Sequence, residues 1–110
     1  MVRLLVNVSL GALLWLPVLA LAGENAYTLT IKDHKFNPAE LNVPAGQKIK
    51  IVIDNQDPTP EEFESHDLNR EKVIGAKAKG IVIVGPLKTG TYAFVGEFHE
   101  DMAKGVIVAR

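Results

Sequence analysis

The sequence contains no cysteine. That absence excludes a disulfide framework, a thiolate metal ligand, a cysteine nucleophile and a redox dithiol. Charge of one sign is lacking too. Twelve basic and 13 acidic residues leave a formal net charge of −1, so nothing points to nucleic acid or an anionic membrane surface as a partner. There is no internal repeat, no low-complexity tract and, beyond the first 22 residues, no pattern of helical period. The uninterrupted apolar run from Leu10 to Ala22 is 13 residues, whereas a membrane-spanning helix needs about 20. Methionine and histidine are scarce: Met102 is the only methionine besides Met1, and the histidines are His34, His66 and His99.

What is present begins with the anatomy of a secretory signal peptide. Met1-Val2-Arg3 is a short positive start, Leu10 to Leu16 is an apolar core broken at Pro17, and Ala20-Leu21-Ala22 is a small-x-small cleavage site. Cleavage is expected after Ala22, with residues 1–22 removed and residues 23–110 forming one domain; an uncleaved anchor is the alternative. The expected location is the periplasm, with no lipid anchor. Removing 22 of 110 residues leaves 88, with 11 basic and 13 acidic groups and a net charge of −2. A domain of that size without disulfides must draw its stability from packing or from a bound ion.

The 88 residues read as short strands separated by turns. Tyr27 to Ile31 alternates, with Tyr27, Leu29 and Ile31 on one face. Lys32 to Pro38 reads as a loop carrying one apolar plug, Phe36. Glu40–Val43 is a short strand, and Lys48–Asp54, rich in β-branched residues, is the strongest. Pro58 and Pro60 end it, since neither can join a sheet interior. Glu61–His66, Lys72–Gly75, Ile81–Val84, Thr91–Val95 and Val106–Ala109 follow. About seven short strands at this spacing predict an all-β sandwich or barrel.

Between the last two strands lies Gly96-Glu97-Phe98-His99-Glu100-Asp101-Met102-Ala103-Lys104-Gly105. It sets an imidazole, a thioether and three carboxylates in one short loop, hard and soft metal-ligand types together. In a sandwich this loop meets the loop after Lys48–Asp54 at one end. Asp57, Glu61, Glu62, Glu64, Glu97, Glu100 and Asp101 then gather there, seven of the chain's 13 acids. So many carboxylates repel one another unless some hold protons or a cation sits among them. The competing reading is a solvated acidic rim, where screening makes the repulsion small. Such a rim has no use for Met102, and that favours the metal. One of Glu61, Glu62 and Glu64 is expected to point inward, with alternation pairing Glu62 and Glu64. His66 and His34 are reserve ligands. Ser65-His66-Asp67 is not a catalytic triad, because adjacent strand residues face opposite ways.

From Tyr27 to Ala109 the chain resembles the cupredoxins. Three stretches carry the likeness: Phe36-Asn37-Pro38 with Leu41-Asn42-Val43-Pro44-Ala45-Gly46; Val52-Ile53-Asp54-Asn55 followed by Glu62-Phe63; and Tyr92 through Met102, closed by Gly105-Val106-Ile107-Val108. The resemblance implies a Greek-key β-sandwich. It places His99 and Met102 on the histidine and methionine of the family's Cys-x-x-His-x-x-Met ligand loop. Gly96 falls on the cysteine and Glu62 on the first histidine. A blue-copper centre, which needs two histidines and a thiolate, is thereby excluded. The run Glu61-Glu62-Phe63-Glu64-Ser65 with Asp67-Leu68-Asn69-Arg70-Glu71-Lys72 resembles the periplasmic cupredoxins associated with ferrous-iron permeases.

The implied metal ligands are Glu62, His99 and Met102, with Glu97 or Glu100 added and Glu64, His66, His34 and Asp101 behind them. The implied ion is copper, with iron as the alternative. The implied role is assistance to ferrous-iron uptake beside a permease and other periplasmic components, by electron transfer or accessory ferrous oxidation. A copper chaperone and a metal-free β-sandwich interaction domain are the competing readings.

Overall fold

The structure is a computed structural model that describes residues 26–110; the signal-peptide reading falls outside the described residues. The described residues form nine strands: β1 (Ala26–Lys32), β2 (Lys35–Asn37), β3 (Glu40–Val43), β4 (Ile49–Asn55), β5 (Glu61–Ser65), β6 (Arg70–Ile74), β7 (Lys79–Val84), β8 (Gly90–Gly96) and β9 (Lys104–Ala109). One 3-10 turn, Glu97–His99, joins β8 to β9. No helix among the described residues is long and apolar enough to cross a membrane.

The strands form two sheets, ordered β2-β1-β4-β7 and β3-β9-β8-β5-β6. The β1–β4 and β3–β9 pairs are parallel and the others antiparallel. This is the expected all-β sandwich, with nine strands rather than about seven. The main departure is β2, which lies inside the stretch expected to be a loop. It pairs with β1 across a two-residue turn, Lys32 opposite Lys35 and Ile31 opposite Phe36.

Alternation fills the space between the sheets. Ile49, Ile51 and Ile53 of β4 are fully buried, as are Leu29 and Ile31 of β1, Phe63 of β5 and Ile107 of β9. Phe36, Phe63 and Phe94 close one end of this core, with ring centroids 4.9 to 6.3 Å apart. Each such ring contributes about 1.5–3 kcal/mol by leaving water, so Phe36 is the plug that holds the short β2 in place. Phe98, in the 3-10 turn, stays outside this core and is 49% exposed.

The loop after β4 is tied down from within. Asn55 is fully buried. Its side-chain amide donates to the carbonyls of Thr59, Ile74 and Gly75, and its oxygen accepts the Asp57 N–H. The two prolines leave this loop few donors, and one asparagine supplies the lost connections to β6. Asp57 is thereby fixed at the end of the sandwich where the β1–β2 turn and the 3-10 turn also arrive.

Candidate metal centre

The β1–β2 turn consists of Asp33 and His34, both with positive φ, 53° and 61°. A two-residue hairpin of type I′ requires positive φ at both positions and is normally built from Asn-Gly. Neither residue here is glycine, and the left-handed conformation costs roughly 1–2 kcal/mol per residue. Asp57 offsets that cost. Its Oδ1 accepts the Asp33 N–H at 2.8 Å and its Oδ2 accepts the His34 N–H at 3.0 Å. Burial pushes the Asp57 carboxyl up. The N–H bonds from His34 and Asp33, with the electrostatic pull of the His34 ring and of Lys77, outweigh burial and hold it below its ordinary value. Its folded pKa is the lower one, so its stabilisation is present at neutral pH and is lost as acid titrates through that value.

On the opposite sheet Glu61 opens β5. Burial alternates strictly there, with Glu61, Phe63 and Ser65 inward and Glu62 and Glu64 half-buried. Glu61 is 1% exposed. Its Oε1 accepts the N–H groups of Phe98 at 2.9 Å and Glu62 at 3.0 Å, and its Oε2 lies 2.6 Å from His99 Nδ1. Gly96 makes this possible. A Cβ there would lie 2.7 Å from both Glu61 Cδ and Ala103 Cβ. The carboxylate thus fills volume beside the position where the resemblance puts a cysteine.

His99 ends the 3-10 turn, and its carbonyl accepts the N–H groups of Met102 at 3.0 Å and Ala103 at 2.8 Å. The imidazole of His34 stacks on that of His99, with centroids 3.6 Å apart and planes at 14°. His34 Nδ1 lies 3.5 Å from Asp57 Oδ2. His34, Glu61 and His99 each offer a ligand atom, all within 4.8 Å of one another. Two imidazoles and a carboxylate form a borderline N/O donor set that suits copper(II), zinc or iron. Two N–H groups already occupy Glu61 Oε1, which leaves Oε2 as its ligand atom. The short Glu61–His99 hydrogen bond holds a proton where an ion would compete for both partners.

Two of the sequence-derived candidates, His99 and His34, enter this group. The carboxylate facing His99 is Glu61, not Glu62. The physical reason is strand parity, since a shift of one residue turns a side chain to the other face. Glu62 instead gathers with Glu71 and Glu97 in a separate carboxylate group. Met102 is 44% exposed, and Glu100 and Asp101 are exposed on the same loop. Glu64 lies 3.9 Å from His66, whose side chain is 91% exposed, and neither joins the group. The missed residue, Glu61, had a signal: Phe63 is the apolar member of the strand, and Glu61 shares its face.

The Glu62 carboxyl is pushed up to about 7 by its hydrogen bond to Glu97, then by burial and by repulsion from Glu97, Glu71 and Glu64. Burial, and next the Glu97 charge, also raise Glu64. The folded pKa of Glu62 is the higher one, so its contribution is fully present below the ordinary value of 4.5 and is lost as pH rises through about 7. Glu62→Gln, which mimics the protonated acid, is therefore expected to melt above the parent at pH 8 and with it at pH 4. Thermal melts of the metal-free proteins across that range check the crossover.

Residues 6–109 match the family described as the cupredoxin-like domain. An uncharacterized protein of Rickettsia prowazekii (strain Madrid E) is 50% identical over 80 residues, which cover 73% of this chain and 64% of that protein. The chain thus spans less than two thirds of that relative's length. Among solved structures, auracyanin A, a "blue" copper protein from Chloroflexus aurantiacus, superposes with a TM-score of 0.68 at 15% identity, covering 80% of this chain and 100% of that one. The metal-binding domain of a Cu(I)-exporting P-type ATPase from Streptococcus pneumoniae D39 superposes with a TM-score of 0.65 at 17% identity, covering 77% and 84%. At these identities the likeness is one of fold.

Proposed function

Because this chain belongs to the cupredoxin-like domain family, we propose that it is an exported metal-binding protein that holds copper, or alternatively iron, among His34, Glu61 and His99. The observation that carries the reading is the buried Glu61 carboxylate 2.6 Å from His99 Nδ1, with the His34 ring stacked against the same imidazole. A carboxylate that is 1% exposed needs a cation or strong donors to stay charged. Here two N–H groups and an imidazole serve in the metal-free protein.

Bound copper supplies a one-electron couple. The residues supply the rest. Glu61, His99 and His34 would hold the ion, which would compete with the proton between Glu61 and His99. The exposed thioether of Met102 sits on the His99 loop, where a soft donor favours copper(I). The similarity of Glu61–Lys72 to cupredoxins of ferrous-iron permease systems supports a role in periplasmic ferrous uptake, by electron transfer or ferrous oxidation.

Titration with copper(II) tests the binding. One equivalent is expected to bind tightly at pH 7.5 without an intense blue charge-transfer band, because no thiolate is present. The affinity is expected to fall as pH drops through about 6.5, where imidazole protonates. His99→Ala is expected to abolish tight binding. A parent protein that binds no metal would leave the metal-free interaction domain as the better reading.

A further inference from the structure

We propose that Asp57 is the positioning residue of the metal centre: it holds His34 over His99 by fixing the turn that carries it. This inference rests on the metal-binding reading above and adds to it a residue outside the three proposed ligands.

His34 stands on a two-residue turn whose residues both adopt left-handed conformations without glycine at either position. Left alone, such a turn samples other conformations, because aspartate and histidine enter this region less readily than glycine does. The turn's own strands do little to prevent it. β2 is three residues long, and Lys32 and Lys35 flank the turn as the last pair of the ladder. What fixes the turn comes from 23 or 24 residues further along the chain. Each oxygen of Asp57 accepts one turn N–H, Asp33 at 2.8 Å and His34 at 3.0 Å. Oδ2 also lies 3.5 Å from the His34 ring. One carboxylate therefore constrains both the backbone of His34 and its imidazole.

Asp57 can do this because it is itself held on both sides. Its N–H donates to Asn55 Oδ1 at 3.0 Å, and its carbonyl accepts the Lys77 N–H at 3.0 Å. The Asn55 amide is in turn bonded to three carbonyls. The chain of contacts runs from the core end of β4 through Asn55 and Asp57 to His34, and then by ring stacking to His99. A ligand on a turn gains precision when its neighbours lock its orientation. Asp57 does that for His34.

The experiment compares Asp57→Asn with the double variant Asp57→Asn/Asp33→Gly, each as the full domain. Asparagine offers an amide group where one N–H must be accepted, so the single variant is expected to melt lower and to bind copper(II) at least tenfold more weakly. Glycine at position 33 adopts positive φ freely, so the double variant is expected to regain the parent's melting temperature. Its copper(II) affinity is still expected to stay well below the parent's, since the imidazole has lost its carboxylate. In metal-free protein, the ring-proton resonances of His34 and His99 are expected to move away from their stacked positions in both variants.

Recovery of stability, affinity and ring shifts together in the double variant would reduce Asp57 to a fold element and overturn the inference. A parent that binds no copper(II) would instead sink the metal reading. The metal-free ring shifts would then still decide whether Asp57 sets the His34 orientation.

Discussion

Glu61→Ala is expected to destabilise the domain by at least about 3 kcal/mol, more than any other single change at this end of the sandwich. The side chain is fully buried and accepts the N–H groups of Phe98 and Glu62. Alanine leaves both donors without that acceptor, at about 1–3 kcal/mol each, and opens a void beside Gly96. For a domain of 60–100 residues, 1 kcal/mol shifts the melting temperature by about 4–8 °C, so a drop of 10 °C or more is the expected result. Glu61→Gln keeps the shape and one carbonyl oxygen for both N–H groups. It is expected to melt close to the parent while losing the charge that a cation requires.

Gly96→Ala approaches the same contact from the other side. The added Cβ meets Glu61 Cδ and Ala103 Cβ, both at 2.7 Å, and such overpacking costs roughly 1–3 kcal/mol. The Glu61→Ala/Gly96→Ala protein is expected to be more stable than the sum of the two losses, because one of the two clashes disappears with the carboxylate. Strict additivity in differential scanning calorimetry would show that Glu61 does not fill the space over Gly96.

The second large effect is on binding. His34→Asn is expected to weaken copper(II) binding by at least 100-fold with little change in melting temperature. Asparagine tolerates the left-handed backbone that His34 adopts at φ 61°, so the turn survives while the imidazole is lost. Removal of a ligand is expected to exceed the 10–100-fold that follows from disturbing an outer partner. Calorimetric titration of the variant beside the parent measures it. An unchanged affinity would remove His34 from the site and return attention to Met102 and the acidic loop.

The contrast between His99 and His34 shows where sequence reasoning reached and where it stopped. The alternation of Leu29 with Ile31 and of Ile49, Ile51 and Ile53 is local, and it placed the strands and the sandwich correctly. The His99 loop stood out because rare residue types crowd into it. Glu61 was harder. Three glutamates surround Phe63, and choosing among them requires knowing which face of β5 is buried, a matter of one residue in register. His34 was harder still. Asp-His is not a usual hairpin turn, and what makes it one is Asp57, which lies beyond the whole of β4 and is anchored in turn by Asn55. That arrangement is tertiary. No window around His34 contains it, so the stretch read as a loop and its histidine as a reserve ligand.

The most direct test of the central claim counts the histidines on the ion. Electron paramagnetic resonance of the copper(II)-loaded protein resolves coupling to each coordinating imidazole nitrogen. The parent is expected to show two such nitrogens, and His34→Asn, loaded with excess copper(II), one. A parent spectrum with a single nitrogen that His34→Asn leaves unchanged would contradict a centre built from His34, Glu61 and His99.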